Sequence, residues 1–234
     1  MFQVRDVATC NGILWTAFFT VLAVSSAPAE PPDCPGLPIS VDVPSNDLRA
    51  RACDAAGRGL ELLASCGLPL QSPIEIRVFD RANSLHDGCL ARYDCSEEII
   101  EVLSPDAITG STPPAHPMAM IDPAQLFSSL IVHELSHALI EQLQCPVAPC
   151  LAEHEYIANV MQMSVLSPTA RQVILDARPG PPDPDPAQLN DFFAVRDPLG
   201  FAATAWRHFQ FPGHGCAFVD KLLSGQESLF IRER

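Results

Sequence analysis

Apolar positions recur at helical spacing from Leu48 through Ala52, Ala55, Ala56, Leu60, Leu62 and Leu63, directly behind the capping-type run Ser45-Asn46-Asp47. Gly67 and Pro69 stop that pattern, which predicts a helix over residues 47–65. Ile74, Ile76 and Val78 then alternate with Glu75, Arg77 and Phe79, the period-two signature of a strand. Residues 88–93 and 98–103 read as two more strands joined as a hairpin. Residues 104–123 carry five prolines and few periodic apolar positions, so an irregular loop is expected there.

The helical period returns strongly over residues 124–144, where the apolar set is almost unbroken. Further helices are expected at 152–166, 169–177, 197–209 and 214–223. The proline-rich stretch 179–186 fits neither helix nor central strand and is expected as an exposed loop. No repeat and no second core are evident. The pattern describes one α+β domain, a small N-terminal sheet followed by a helical part, over residues 47–234.

Residues 12–24 form an uncharged apolar run too short for a comfortable bilayer span, followed by the small-x-small triplet Ala27-Pro28-Ala29. Residues 1–29 are therefore expected as a signal peptide and 30–46 as a proline-rich leader, giving a secreted or periplasmic protein without a stable membrane span. Cysteine usage agrees with that compartment. Removing Cys10 leaves eight of the nine cysteines, an even number that suits disulfides. Cys89 with Cys95, and Cys145 with Cys150, are close enough in sequence to close short loops. Cys53 and Cys66 fall on one predicted helix about 20 Å apart, too far to bridge. Cys34 is thus expected to pair with one of these two and Cys216 with the other. The formal charge of −14 disfavours nucleic-acid partners.

Within the strongest helix stands His133-Glu134-Leu135-Ser136-His137. Histidines at i and i+4 share a helix face about 6 Å apart along the axis, so both imidazoles can reach one metal ion. Between Asp122 and Glu141 the only carboxylate is Glu134, and imidazole or carboxylate groups in so apolar a helix need partners or a metal. The pentad, its apolar flanks and a downstream glutamate helix resemble the zincin metallopeptidases of the gluzincin type. The resemblance covers roughly residues 124–162. Where the metzincin extension needs Gly and a third His, this chain has Ile140 and Leu143.

That resemblance implies zinc held by His133, His137 and a glutamate on the next helix in a Glu-x-x-Ala-like pattern. Glu155-Tyr156-Ile157-Ala158 fits, which makes Glu155 the preferred third ligand over Glu153 and His154. It implies Glu134 as general base for a water that the zinc acidifies to a pKa of about 7. Asn159 stands where the family often has an aspartate supporting a ligand histidine. His208, or alternatively Tyr156, is the candidate for stabilising the oxyanion. The expected function is a secreted zinc peptidase acting on peptide or protein substrates, with residues 98–103 as a strand able to pair with substrate. The alternative is a secreted, disulfide-stapled binding protein whose zinc site is structural or inactive.

Overall fold

The computed structural model describes residues 34–82, 84–85, 88–143 and 150–229; the expected signal segment, His86 and Cys145 lie outside them. The expected α+β class is observed, a four-stranded sheet with helices following it. Strands β1 (Ile39–Asp42), β2 (Ile74–Phe79), β3 (Ala91–Asp94) and β4 (Ile99–Leu103) lie in the order β1-β2-β4-β3. β1, β2 and β4 run parallel, with Ile39 beside Ile74 and Glu75 beside Ile99, and β3 closes the edge antiparallel to β4.

Alternation sorts the sheet into two faces. Ile39, Val41, Ile74, Ile76, Val78, Ile100 and Val102 are buried, and they point to the face covered by α1 (Asn46–Ser65) and α3 (Pro123–Leu143). The opposite face carries charge, where Arg77 pairs with Glu75 and Arg92 hydrogen-bonds Glu101. Helix α1 approaches α3 closely because position 59 is glycine. A Cβ there would stand 2.9 Å from Val132 Cγ2. The contact sets α3 beneath the sheet, with its central turns at the end of β3.

Three segments depart from expectation. β1 lies inside the proline-rich leader and belongs to the sheet; Ile39 and Val41 supply the buried alternation that the surrounding prolines obscure. The loop expected over 104–123 contains helix α2 (Pro105–Ser111) and a 3-10 turn, Pro117–Met120. Pro105 is harmless in the first turn, where its missing N–H has no partner to lose, and the Ser104 side chain accepts from Ala107 N–H. Helix α6 (Asp191–Arg196) is an addition to the expected helices; its Asn190 cap and the carboxylate of Asp191, which accepts from Ala152 N–H at 2.8 Å, hold it against the start of helix α4 (Leu151–Val165). Helices α4 (Leu151–Val165), α5 (Pro168–Ala177), α7 (Pro198–Gln210) and α8 (Cys216–Leu223) match the expected segments within a few residues.

Disulfides join Cys34 to Cys53 and Cys66 to Cys216, one of the two pairings the spacing leaves open. The first fastens the chain before β1 to α1; the second ties the end of α1 to the start of α8. Cys150 is disulfide-bonded as well. Among the described residues no helix is long and apolar enough to cross a membrane.

Candidate metal centre

The facing helices α3 and α4 make the most extensive helix pair in the molecule. From α3 come His133 and His137, one turn apart; from α4 comes Glu155. His133 Nε2 lies 3.2 Å from His137 Nε2, and Glu155 oxygens lie 3.9 Å and 3.6 Å from the two nitrogens. An ion bound tetrahedrally at about 2.0–2.1 Å from each ligand atom sets those atoms about 3.3–3.4 Å apart. The observed triangle brackets that edge, so these three residues could hold one metal ion.

Their electrostatics call for a cation. Burial pushes His133 down to about 4, opposed by its hydrogen bond to Gln162, and burial followed by His133 and His154 holds His137 well below its ordinary range. Burial pushes Glu155 up to about 7 against donation from Asn159. Glu134, only 6% exposed, is pushed up to about 8 by burial and then by the charge of Glu155. Among the described residues no lysine or arginine pairs with either glutamate. Two carboxylates and two imidazoles, all poorly solvated, make a set that a divalent cation neutralises. Nitrogen and carboxylate donors together suit a borderline transition metal better than Mg²⁺ or Ca²⁺.

Glu134 is not one of the three converging groups. Its carboxylate instead accepts a hydrogen bond from the backbone N–H of Tyr93 on β3. The ladder explains why that N–H is available. Leu103 N–H donates to Leu90 O, and with Ala91 beside Val102 the bonded pairs fall at positions 90, 92 and 94. The backbone groups of Ala91 and Tyr93 therefore point away from β4, toward α3. Residues 98–103 were the expected substrate-pairing strand, but β4 is flanked by β2 and β3 and has no open edge. The edge beside the site belongs to β3.

The other sequence candidates lie elsewhere. Glu153 is buried two residues before Glu155, and one of its oxygens accepts from the Ser228 hydroxyl and the Leu229 N–H, holding the C-terminal segment. His154 stacks on His137 with ring centroids 5.9 Å apart but offers no atom to the trio. His208 and Tyr156 are bonded to each other at 2.9 Å, and His208 also stacks on His214 at 4.0 Å. Tyr156 is fully buried, His208 is 3% exposed, and His208 is not among the converging groups.

Two polar residues have roles the sequence did not disclose. Asn159 does not support a histidine; its amide donates to Glu155, at 3.2 Å to the carboxylate and 2.7 Å to the backbone oxygen. The histidine is met by Gln162, whose Oε1 lies 3.1 Å from His133 Nδ1. Glu155, Asn159 and Gln162 stand at i, i+4 and i+7, one stripe of α4. Buried polar residues at that spacing in an apolar helix were the available signal.

The fold and the trio thus define an α+β protein with a two-histidine, one-glutamate candidate metal centre. Residues 39–232 match a family described as a family of unknown function (DUF6639), and the chain belongs to it. No curated protein and no solved structure matches the chain.

Proposed function

We propose that the protein is a secreted zinc-dependent peptidase of the gluzincin type, acting on peptide or protein substrates. The observation that carries this is the position of Glu134: buried, adjacent to a converging His133–His137–Glu155 trio, outside that trio, and hydrogen-bonded to the edge strand. A purely structural metal site has no use for an extra buried carboxylate beside an open sheet edge. His133, His137 and Glu155 would hold the zinc, which when bound supplies Lewis acidity that polarises a carbonyl and acidifies water.

Glu134 takes the proton from the attacking water and passes it to the leaving amine. Tyr93 N–H fixes the carboxylate's direction, and burial keeps it from being a weak, fully hydrated base. Positive charge within the trio acts against the upward push from burial and Glu155. An extended substrate adds to β3 through the outward N–H and C=O of Ala91 and the C=O of Tyr93, which brings its backbone alongside α3. Export from the cytosol is supported by the disulfides.

Glu134→Gln tests the proposal, because it keeps the side chain's size and an oxygen acceptor while deleting the base. Cleavage of a denatured-protein digest is expected to fall by about 10²–10⁴-fold, with zinc content unchanged. Cleavage that survives the substitution would place the catalytic centre elsewhere. Full zinc occupancy without any cleavage by wild type would favour the binding-protein alternative.

A further inference from the structure

The hydrogen bonds behind His133 form a chain in which every direction is determined. Ser129 is fully buried, and its hydroxyl donates to Leu126 O at 2.8 Å. Its single proton is thereby used, so its oxygen can only accept. Gln162 Nε2 donates to it at 3.3 Å. That fixes the amide's orientation and turns Oε1 toward His133 Nδ1 at 3.1 Å. A carbonyl oxygen only accepts, so Nδ1 must carry the imidazole proton. A neutral imidazole has one such proton. Nε2 is left bare, and it faces His137 Nε2 and Glu155.

We infer that Gln162, held by Ser129, is the positioning residue that locks His133 in its Nδ1–H tautomer and presents the Nε2 lone pair to the metal. This deepens the metal-centre reading above and rests on it. Free imidazole side chains usually carry the proton on Nε2, the wrong nitrogen for this trio. Gln162 removes that competition before any ion arrives. Being neutral, it also leaves the buried charge balanced, since a divalent cation offsets Glu134 and Glu155 and a third carboxylate would exceed it. Its burial, 5% exposed, shields the arrangement from water. Asn159 does the corresponding work for Glu155, so one stripe of α4 carries a ligand, that ligand's clamp and a histidine's clamp.

The test uses full-length mature protein, wild type with Gln162→Leu, Gln162→Glu and Ser129→Ala. Imidazole ¹⁵N chemical shifts of the metal-free protein at neutral pH report the tautomer directly. Wild type is expected to show His133 protonated on Nδ1. Gln162→Leu is expected to shift it toward Nε2–H and to weaken zinc binding, measured against a competing chelator, by about 10–100-fold. Gln162→Glu, which can still accept from Nδ1, is expected to restore the tautomer. Ser129→Ala is expected to fall between and covers the case in which the leucine variant does not fold. An Nε2–H tautomer at His133 in wild type would overturn the assignment, as would unchanged zinc affinity in Gln162→Leu. The two readings fail differently: a wild-type protein that shows the Nδ1–H tautomer but binds no zinc refutes the metal centre and leaves the hydrogen-bond lock standing.

Discussion

Helix α4 packs against histidines on two sides, and the two sides end differently. Toward α3, a Glu155 carboxylate and the Nε2 atoms of His133 and His137 converge, 3.2–3.9 Å from one another. Toward α7 and α8, Tyr156 bonds His208, His208 stacks on His214, and His214 Nδ1–H donates to the His208 backbone oxygen at 2.7 Å. Phe218 closes that cluster, its ring 4.6 Å from that of His208. One side is an arrangement waiting for a charge, and the other is already satisfied. Histidines occur on both, so residue type alone does not mark function. Convergence of two imidazole nitrogens and a carboxylate on one point marks the candidate centre.

The largest expected contrast follows from exchanging histidines between the sides. His133→Ala or His137→Ala should each abolish stoichiometric zinc binding, whereas His208→Ala should leave zinc content intact and lower the melting temperature. Zinc analysis and thermal melting of the three variants side by side check this. Zinc loss in His208→Ala would erase the distinction between the two faces.

The two neighbouring glutamates sharpen the same comparison. Glu155→Ala should weaken zinc binding strongly. Glu153→Ala should not, and should instead release the C-terminal segment, leaving Leu229 N–H without its acceptor at a cost of about 1–3 kcal/mol. Chelator competition and hydrogen exchange at residues 228–229 separate the outcomes. The reverse result would move the third ligand by two residues.

The closed side is also the stapled one, since Cys216 begins the helix that carries Phe218. Reducing the disulfides is expected to destabilise the fold by about 2–5 kcal/mol per native bridge, read by denaturant unfolding with and without reductant. Unchanged stability would mean that the bridges only record the compartment.

The smallest effect concerns pH on the closed side. Burial, and then His214, push His208 down to about 4, with Asp183 opposing. The unfolded chain therefore binds more protons than the folded one below about 6.5. The contribution of His208 to stability is complete above that value and is lost as pH falls toward 4. In metal-free protein, melting temperature should drop over this window, and His208→Gln should make the drop shallower. An identical slope in the variant would show that His208 protonates without cost.

The converging trio was legible in the sequence because helical periodicity is local. The i, i+4 spacing of His133 and His137 fixes a shared face whatever the tertiary structure, and Glu155 followed at Ala158 by a small residue announces a second helix able to approach. The sheet was only partly legible. Its strands were found except β1, whose four residues sit among prolines, but strand order depends on contacts far apart in sequence. That is why β4 was expected at the cleft and β3 lies there. The pairing of Cys34 and Cys216 was narrowed by helix length, which is local, and completed by how α8 returns to α1, which is not. Gln162, Ser129 and Tyr93 N–H share the same obstacle: each acts through hydrogen bonds to residues far away in the chain, whose positions only the fold discloses. His208 shows the converse, a histidine whose local pattern suits catalysis and whose long-range partner, Tyr156, that pattern does not reveal.

The central claim, that His133, His137 and Glu155 hold zinc, is tested most directly by anomalous diffraction. Crystals of mature protein loaded with one equivalent of zinc would be measured on both sides of the zinc absorption edge. A single anomalous peak bounded by His133 Nε2, His137 Nε2 and the Glu155 carboxylate, with Glu134 nearby but not coordinating, is the predicted result. A peak at other residues, or none at full loading, would contradict it.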